Sequence, residues 1–241
     1  MRIINAPVWL ALAALLGGCQ SMEGERDGDI YYAPAAAYAM DLGINTFRGE
    51  VVLDERCDGF GGSTTFWDGS GRQFRIDYLR IENHPLIGAP RFASDMTLLN
   101  LVLNNYLRER VATAPLVTSV EALHREFLQD STPRALFAVV SLDVDSQRAP
   151  DSRAVDGTHY YGFLLFRQGE MIYVVQHRQP VLMPEKMKSV LLRLADAMEI
   201  PGRLRSDTDT ERLRRALSRM APQGKSEPAR LCSAAAQGES S

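Results

Sequence analysis

The sequence predicts an α+β fold: one antiparallel sheet in the order hairpin, helix, strand meander, helix, with the helices packed on one face. Three observations predict it. Two pairs of strand-like runs flank tight Gly-containing turns, at 63–82 and 159–179. Two segments, 95–111 and 184–200, carry apolar residues at helical spacing. A third β-rich run, 135–144, lies between them.

The chain opens MRIINAPVWLALAALLGGCQS. Its apolar run VWLALAALL is too short to span a bilayer, which takes about 20 apolar residues. A positive residue, a short apolar core and small residues at a cut describe a secretory signal peptide, here residues 1–18. Leu16-Gly17-Gly18-Cys19 resembles the lipobox of bacterial lipoproteins. The resemblance implies a diacylglyceryl group on the Cys19 sulfur, cleavage before Cys19, and acylation of the new amine. Gly17, where Ala or Ser is usual, is a mild departure. The resemblance covers about the first 20 residues. Gln20, where Asp would hold a protein at the inner membrane, implies an outer-membrane, periplasm-facing protein. Two or three acyl chains anchor firmly where one does not.

Residues 19–45 are polar and rich in Gly and Ala, and are expected to be a flexible tether. Tyr31, Tyr32 and Tyr38 offer the other expectation, docking on the domain or on a partner. A single α+β domain is expected over 46–221, and a polar tail over 222–241.

Residues 50–55 read as a short strand. Residues 63–67 and 72–82 form the first hairpin around Asp68-Gly69-Ser70-Gly71. Phe74, Ile76 and Tyr78 fall on one face of it; Arg75, Asp77, Leu79 and Ile81 fall on the other. The glycines nearby do not match a phosphate-binding loop, because no lysine follows them. Residues 95–111 form the first helix, capped by Ser94 or Asp95, with Leu98, Leu99, Val102, Tyr106 and Leu107 as its buried stripe. Residues 120–128 are ambiguous: Thr118 and Glu121 have capping-box spacing, while the short link 130–134 suits a β-hairpin, and the balance tips toward strand. Residues 145–158 form a polar loop. The second hairpin turns at Gln168-Gly169. Pro184 starts a second helix, and residues 208–220 form a third. This order is similar to that of the PsbP-like α/β sandwich, a fold of accessory proteins often without an active site.

The net charge of −3 becomes −4 when residues 1–18 leave with one arginine and no acid. Nucleic acid is therefore not an expected partner, since a binder of that kind carries a basic footprint. Of three cysteines, Cys57 and Cys232 remain once Cys19 carries lipid. In an oxidising compartment they are a disulfide candidate. So long a loop would contribute on the order of 4–5 kcal/mol. No CxxC or HExxH accompanies them, so neither a metal nor another cofactor is expected. No nucleophile elbow is present, and no catalytic residue is assigned. His159 and His177 end opposite arms of one hairpin, and Asp143 and Asp145 alternate at a strand end; both pairs are expected to be solvated. Arg212, Arg214, Arg215 and Arg219 on the last predicted helix are a possible contact for an anionic partner.

These readings converge on a lipid-anchored, non-enzymatic envelope protein that binds or scaffolds another envelope protein. The alternatives are a hydrolase acting on envelope material and a carrier of a lipid or small apolar ligand.

Overall fold

The structure, a computed structural model, describes residues 24–34, 37–43, 47–57, 61–82, 87, 94–148 and 155–201. Its centre is a seven-stranded antiparallel sheet. The strands are β4 (Val52–Cys57), β5 (Gly61–Trp67), β6 (Gln73–Arg80), β7 (Val117–Leu128), β8 (Ala135–Val144), β9 (Gly157–Gln168) and β10 (Met171–Gln179). Their spatial order is β4-β5-β6-β10-β9-β8-β7. Both expected hairpins form. In the first, Asp68 accepts from the backbone N–H groups of Ser70 and Arg72 and fixes the turn. In the second the two-residue link is Gly169-Glu170, one residue later than expected, and Gly169 supplies the required positive φ of 58°. Residues 120–128 are strand, as the balance suggested, within the longer edge strand β7.

Among the described residues two helices cover the sheet: α1 (Asp95–Tyr106) and α2 (Pro184–Asp196). They lie on opposite faces, which corrects the expectation that they share one. The alternation of side chains decides this. Phe163, Leu165, Ile172 and Val174 of β9 and β10 pack with α1 residues Leu98, Leu99, Val102 and Leu103. The intervening Leu164, Phe166, Tyr173 and Val175 pack with Met187, Val190, Leu191 and Leu194 of α2. Both faces of the central strands are thus apolar, as a doubly covered sheet demands. Gly162 makes the second contact close: a Cβ there would lie 3.0 Å from Leu191 Cδ1 and 3.2 Å from Met187 Cβ.

Within the tether expected over 19–45, the described residues 24–34 and 37–43 are folded, which corrects that expectation for them. Glu25–Asp27 (β1), Ile30–Tyr32 (β2) and Ala39–Asp41 (β3) join Met198–Glu199 (β11) in a second sheet, β1-β2-β3-β11. Tyr31, Tyr38 and Met40 are fully buried beside α2. The tyrosine-docking expectation describes these residues: three large rings outweigh a polar, Gly/Ala-rich background. The second helix also ends earlier than its apolar pattern suggests, because Met198 and Glu199 pair with Met40 and Ala39. The first helix is α-helical only to Tyr106, and Leu107–Val111 continue as a π-helical turn. The third predicted helix, its four arginines, the signal segment and the C-terminal tail lie outside the described residues.

Candidate arginine-lined cleft

On the α1 face the sheet is only partly covered. Helix α1 packs over β8 and β9. The same face of β5 presents Gly61, Ser63 and Thr65, which are too small to fill the space left over. Two adjoining cavities of about 260 and 250 Å³ result, sharing Arg75, Tyr106 and Arg110 as walls.

The polar floor is built by strand register. Arg75 and Asp77 stand two apart on β6, so both point into the cleft, and Gln176 of β10 pairs with Arg75. Arg75 Nη2 donates to Asp77 Oδ1 at 2.7 Å, and its Nε lies 3.0 Å from Oδ2. Asp77 Oδ2 also accepts from Gln176 Nε2 at 2.7 Å and from the Tyr106 hydroxyl at 3.0 Å. Gln176 Nε2 lies 2.6 Å from the Tyr106 oxygen. Asp77, Tyr106 and Gln176 are all buried. Burial pushes the Tyr106 hydroxyl up and the Asp77 charge adds to it, so this group keeps its proton and donates. Burial would lower Arg75, but its hydrogen bonds and ion pair with Asp77 outweigh that and raise it. Asp77 thus has three committed neighbours, and its effect is to fix the guanidinium plane of Arg75.

Around this floor stand further cations. Arg110 lines both cavities from the π-helical turn. It is exposed and has no acidic partner among the described residues. Arg56 enters from β4, 80% exposed, with Asp54 no nearer than 3.8 Å. The second cavity adds Val111, Leu142, Tyr161 and Phe163, an apolar wall. Arg178 closes its far side, and its Nη2 lies 3.1 Å from His159 Nδ1. Cys57 borders the first cavity and is disulfide-bonded; both other cysteines lie outside the described residues.

The other sequence candidates do not meet here. His159 and His177 sit on opposite faces of the sheet: His159 bonds Arg178, whereas His177 stacks on Phe74 with ring centroids 4.6 Å apart. Asp143 accepts from Thr158 Oγ1 at 2.7 Å and from Ser119 Oγ, and these hydrogen bonds hold its carboxyl below the usual range. Asp145 accepts from the backbone N–H of Gln147 at the start of a loop. Among the described residues no group of three or more His, Cys, Asp and Glu could hold a metal ion. The pairing of Arg75 and Asp77 on one face of a strand is readable from alternation alone. Their partners are not, because Tyr106 and Gln176 arrive from elements 29 and 99 residues away.

No protein-family model matches the chain, and no curated protein matches it at a significant level. A structure from Bacteroides thetaiotaomicron VPI-5482, solved at 1.50 Å, is similar at 11% identity with a TM-score of 0.38. The match takes in 76% of this chain and 51% of that one, so the chain spans about half its length. A likeness this distant carries no argument about fold or function.

Proposed function

We propose that this chain is a lipid-anchored, periplasm-facing outer-membrane protein whose α+β domain binds another envelope component in the α1-side cleft without transforming it. The anchor is Cys19, read from Leu16-Gly17-Gly18-Cys19 behind its apolar run. The pairing of Cys57 with Cys232 belongs to the same reading, since the periplasm favours disulfides.

One observation carries the non-enzymatic part. Asp77, the carboxylate at the floor of the cleft, is occupied by Arg75, Tyr106 and Gln176. A general base needs a free acceptor within reach of a substrate proton. Asp77 instead holds donors in place. A second reading, a hydrolase, takes support from Ser63, which pairs with Asp77 across β5 and β6 and lines the same cleft.

Three measurements test the proposal. Labelling of cells with a fatty-acid probe, followed by membrane fractionation, should mark the wild-type chain and leave Cys19→Ala unlabelled and released. An equal membrane fraction for the two would overturn the anchor. In-cell crosslinking should then capture a discrete envelope component that is lost with the anchor. Turnover of envelope extracts that disappears in Ser63→Ala would replace the binding reading with the hydrolase.

A further inference from the structure

We infer that the α1-side cleft takes a small amphipathic oxyanion: a phosphate or carboxylate joined to an apolar body. The inference deepens the reading of the cleft as a binding site and rests on it.

The argument starts from charge. Arg56, Arg75 and Arg110 line the first cavity, against the single carboxylate of Asp77 among the described residues. Arg75 is paired at the floor, while Arg56 and Arg110 stand in solvent at the rim, so the cleft carries more positive charge than its one lining carboxylate balances. Of the three arginines, Asp77 bonds Arg75. Arg75 uses Nε and Nη2 for that carboxylate, so Nη1 is uncommitted among the described residues. Its side chain is one-third exposed, which leaves this edge accessible. Arg110 brings a whole guanidinium with no acidic partner among the described residues. Arg56 is held no closer than 3.8 Å by Asp54 and is free to swing.

Guanidinium groups offer paired N–H donors in a plane, a geometry that matches the oxygens of carboxylate and phosphate. The network beneath Arg75 removes its rotational freedom before any ligand arrives, which reduces the entropic cost of binding. Tyr106 and Gln176 reinforce that pre-organisation by satisfying the far side of Asp77.

The second half of the ligand follows from the second cavity. Val111, Leu142, Tyr161 and Phe163 form an apolar wall continuous with the arginines through Arg75, Tyr106 and Arg110. Together the cavities fall in the size range of small-molecule sites, roughly 300–1,000 Å³. An inorganic anion would leave the apolar wall wet. A neutral hydrocarbon would strip water from the arginines without replacing it. A molecule with both parts satisfies both cavities.

The test uses the full-length chain purified in a non-ionic detergent, whether or not it carries lipid, so it does not depend on the anchor. Phenyl phosphate, benzoate and neutral benzyl alcohol are titrated by calorimetry. Saturable binding of at least one anionic probe, weaker at higher salt and absent for benzyl alcohol, is expected. Arg110→Glu and Arg56→Glu should each weaken it about tenfold or more. Both residues are exposed, so their urea midpoints should match wild type. Equal binding of benzyl alcohol and the anions would overturn the oxyanion assignment while leaving the cleft a binding site. No saturable binding of any probe by folded protein, or affinities unchanged in both variants, would overturn it as well.

Discussion

Gln176 donates to Asp77 at 2.7 Å across two neighbouring strands, although 99 residues separate them in sequence. Removal of Asp77 should cost more than removal of either neutral partner, because it leaves Arg75, Tyr106 and Gln176 without their shared acceptor. Asp77→Leu is expected to lose about 3 kcal/mol in urea unfolding. Gln176→Leu should lose about 1 kcal/mol. The double variant should lose less than the two together, since the residues form one network. Simple additivity would show that they act independently.

Asp68 sets the acid limit of the first hairpin. Burial would raise its carboxyl, but hydrogen bonds from Ser70, Arg72 and Arg48 outweigh burial and lower it from 3.8 to about 2. Its folded value is below its unfolded one, so its contribution is complete above pH 4 and is lost as pH falls toward 2. At about 1.4 kcal/mol per unit this is about 2 kcal/mol. Urea midpoints at pH 5 and pH 2 should show a larger fall for wild type than for Asp68→Asn.

His177 acts in a higher window with the same sign. It is buried against Phe74 with its Nδ1 toward the Gln73 carbonyl, and burial lowers its pKa from 6.5. The unfolded chain therefore binds the proton more readily, and stability should decline as pH drops below about 6.5. His177→Gln should flatten the stability profile between pH 7.5 and 5. A slope unchanged by the substitution would mean that another group supplies it.

Tyr31 tests the N-terminal strands. Its ring is 1% exposed, and its hydroxyl lies 2.9 Å from Thr64 Oγ1. Tyr31→Ala should cost about 3–5 kcal/mol, the usual loss for truncating a buried aromatic. A residue on a flexible leader would change stability by no more than about 0.5 kcal/mol. Urea unfolding of the variant separates the two cases.

The disulfide has a chemical test. If Cys19 is acylated and Cys57 pairs with Cys232, as proposed, a thiol reagent should find no free thiol in unfolded, unreduced protein. It should find two after reduction. Two labelled thiols before reduction would remove the pairing.

How much of this was legible in the sequence depends on how far apart the cooperating residues lie. The hairpin at Asp68–Gly71 and the stripe Leu98, Leu99, Val102 are local patterns, and the fold keeps them. The ambiguity at 120–128 came from Thr118 and Glu121; sheet pairing with β8 settles it, and Thr118 bonds the Asp143 carbonyl instead of capping a helix. The side chosen by each helix was not legible. Alternating apolar residues on both faces of β8, β9 and β10 invite a helix on either side, and nothing local assigns one. The N-terminal strands are hidden in the sequence because each is three residues long and much of the surface that buries them, in β10, α2 and β11, is remote. Within the cleft, Arg75 and Asp77 could be placed on one face. Arg110 could not, since its position depends on a π-helical turn that no periodicity announces.

The small sheet also sets a timetable. Met40 pairs with Met198, and the Tyr173 hydroxyl bonds the Ala37 carbonyl from 136 residues downstream. Phe66 of β5 and Tyr78 of β6 meet the rings of Tyr31 and Tyr38, but the cluster that buries Tyr31, Tyr38 and Met40 is completed only by β10, α2 and Met198, far downstream. Until those later elements form, these side chains are only partly covered. Non-local closure of this kind slows folding and prolongs exposure of sticky segments. A chain exported unfolded, as the proposed anchor requires, therefore exposes these side chains until residue 198 is across, and a product that stops before β11 is expected to be less stable than the whole domain.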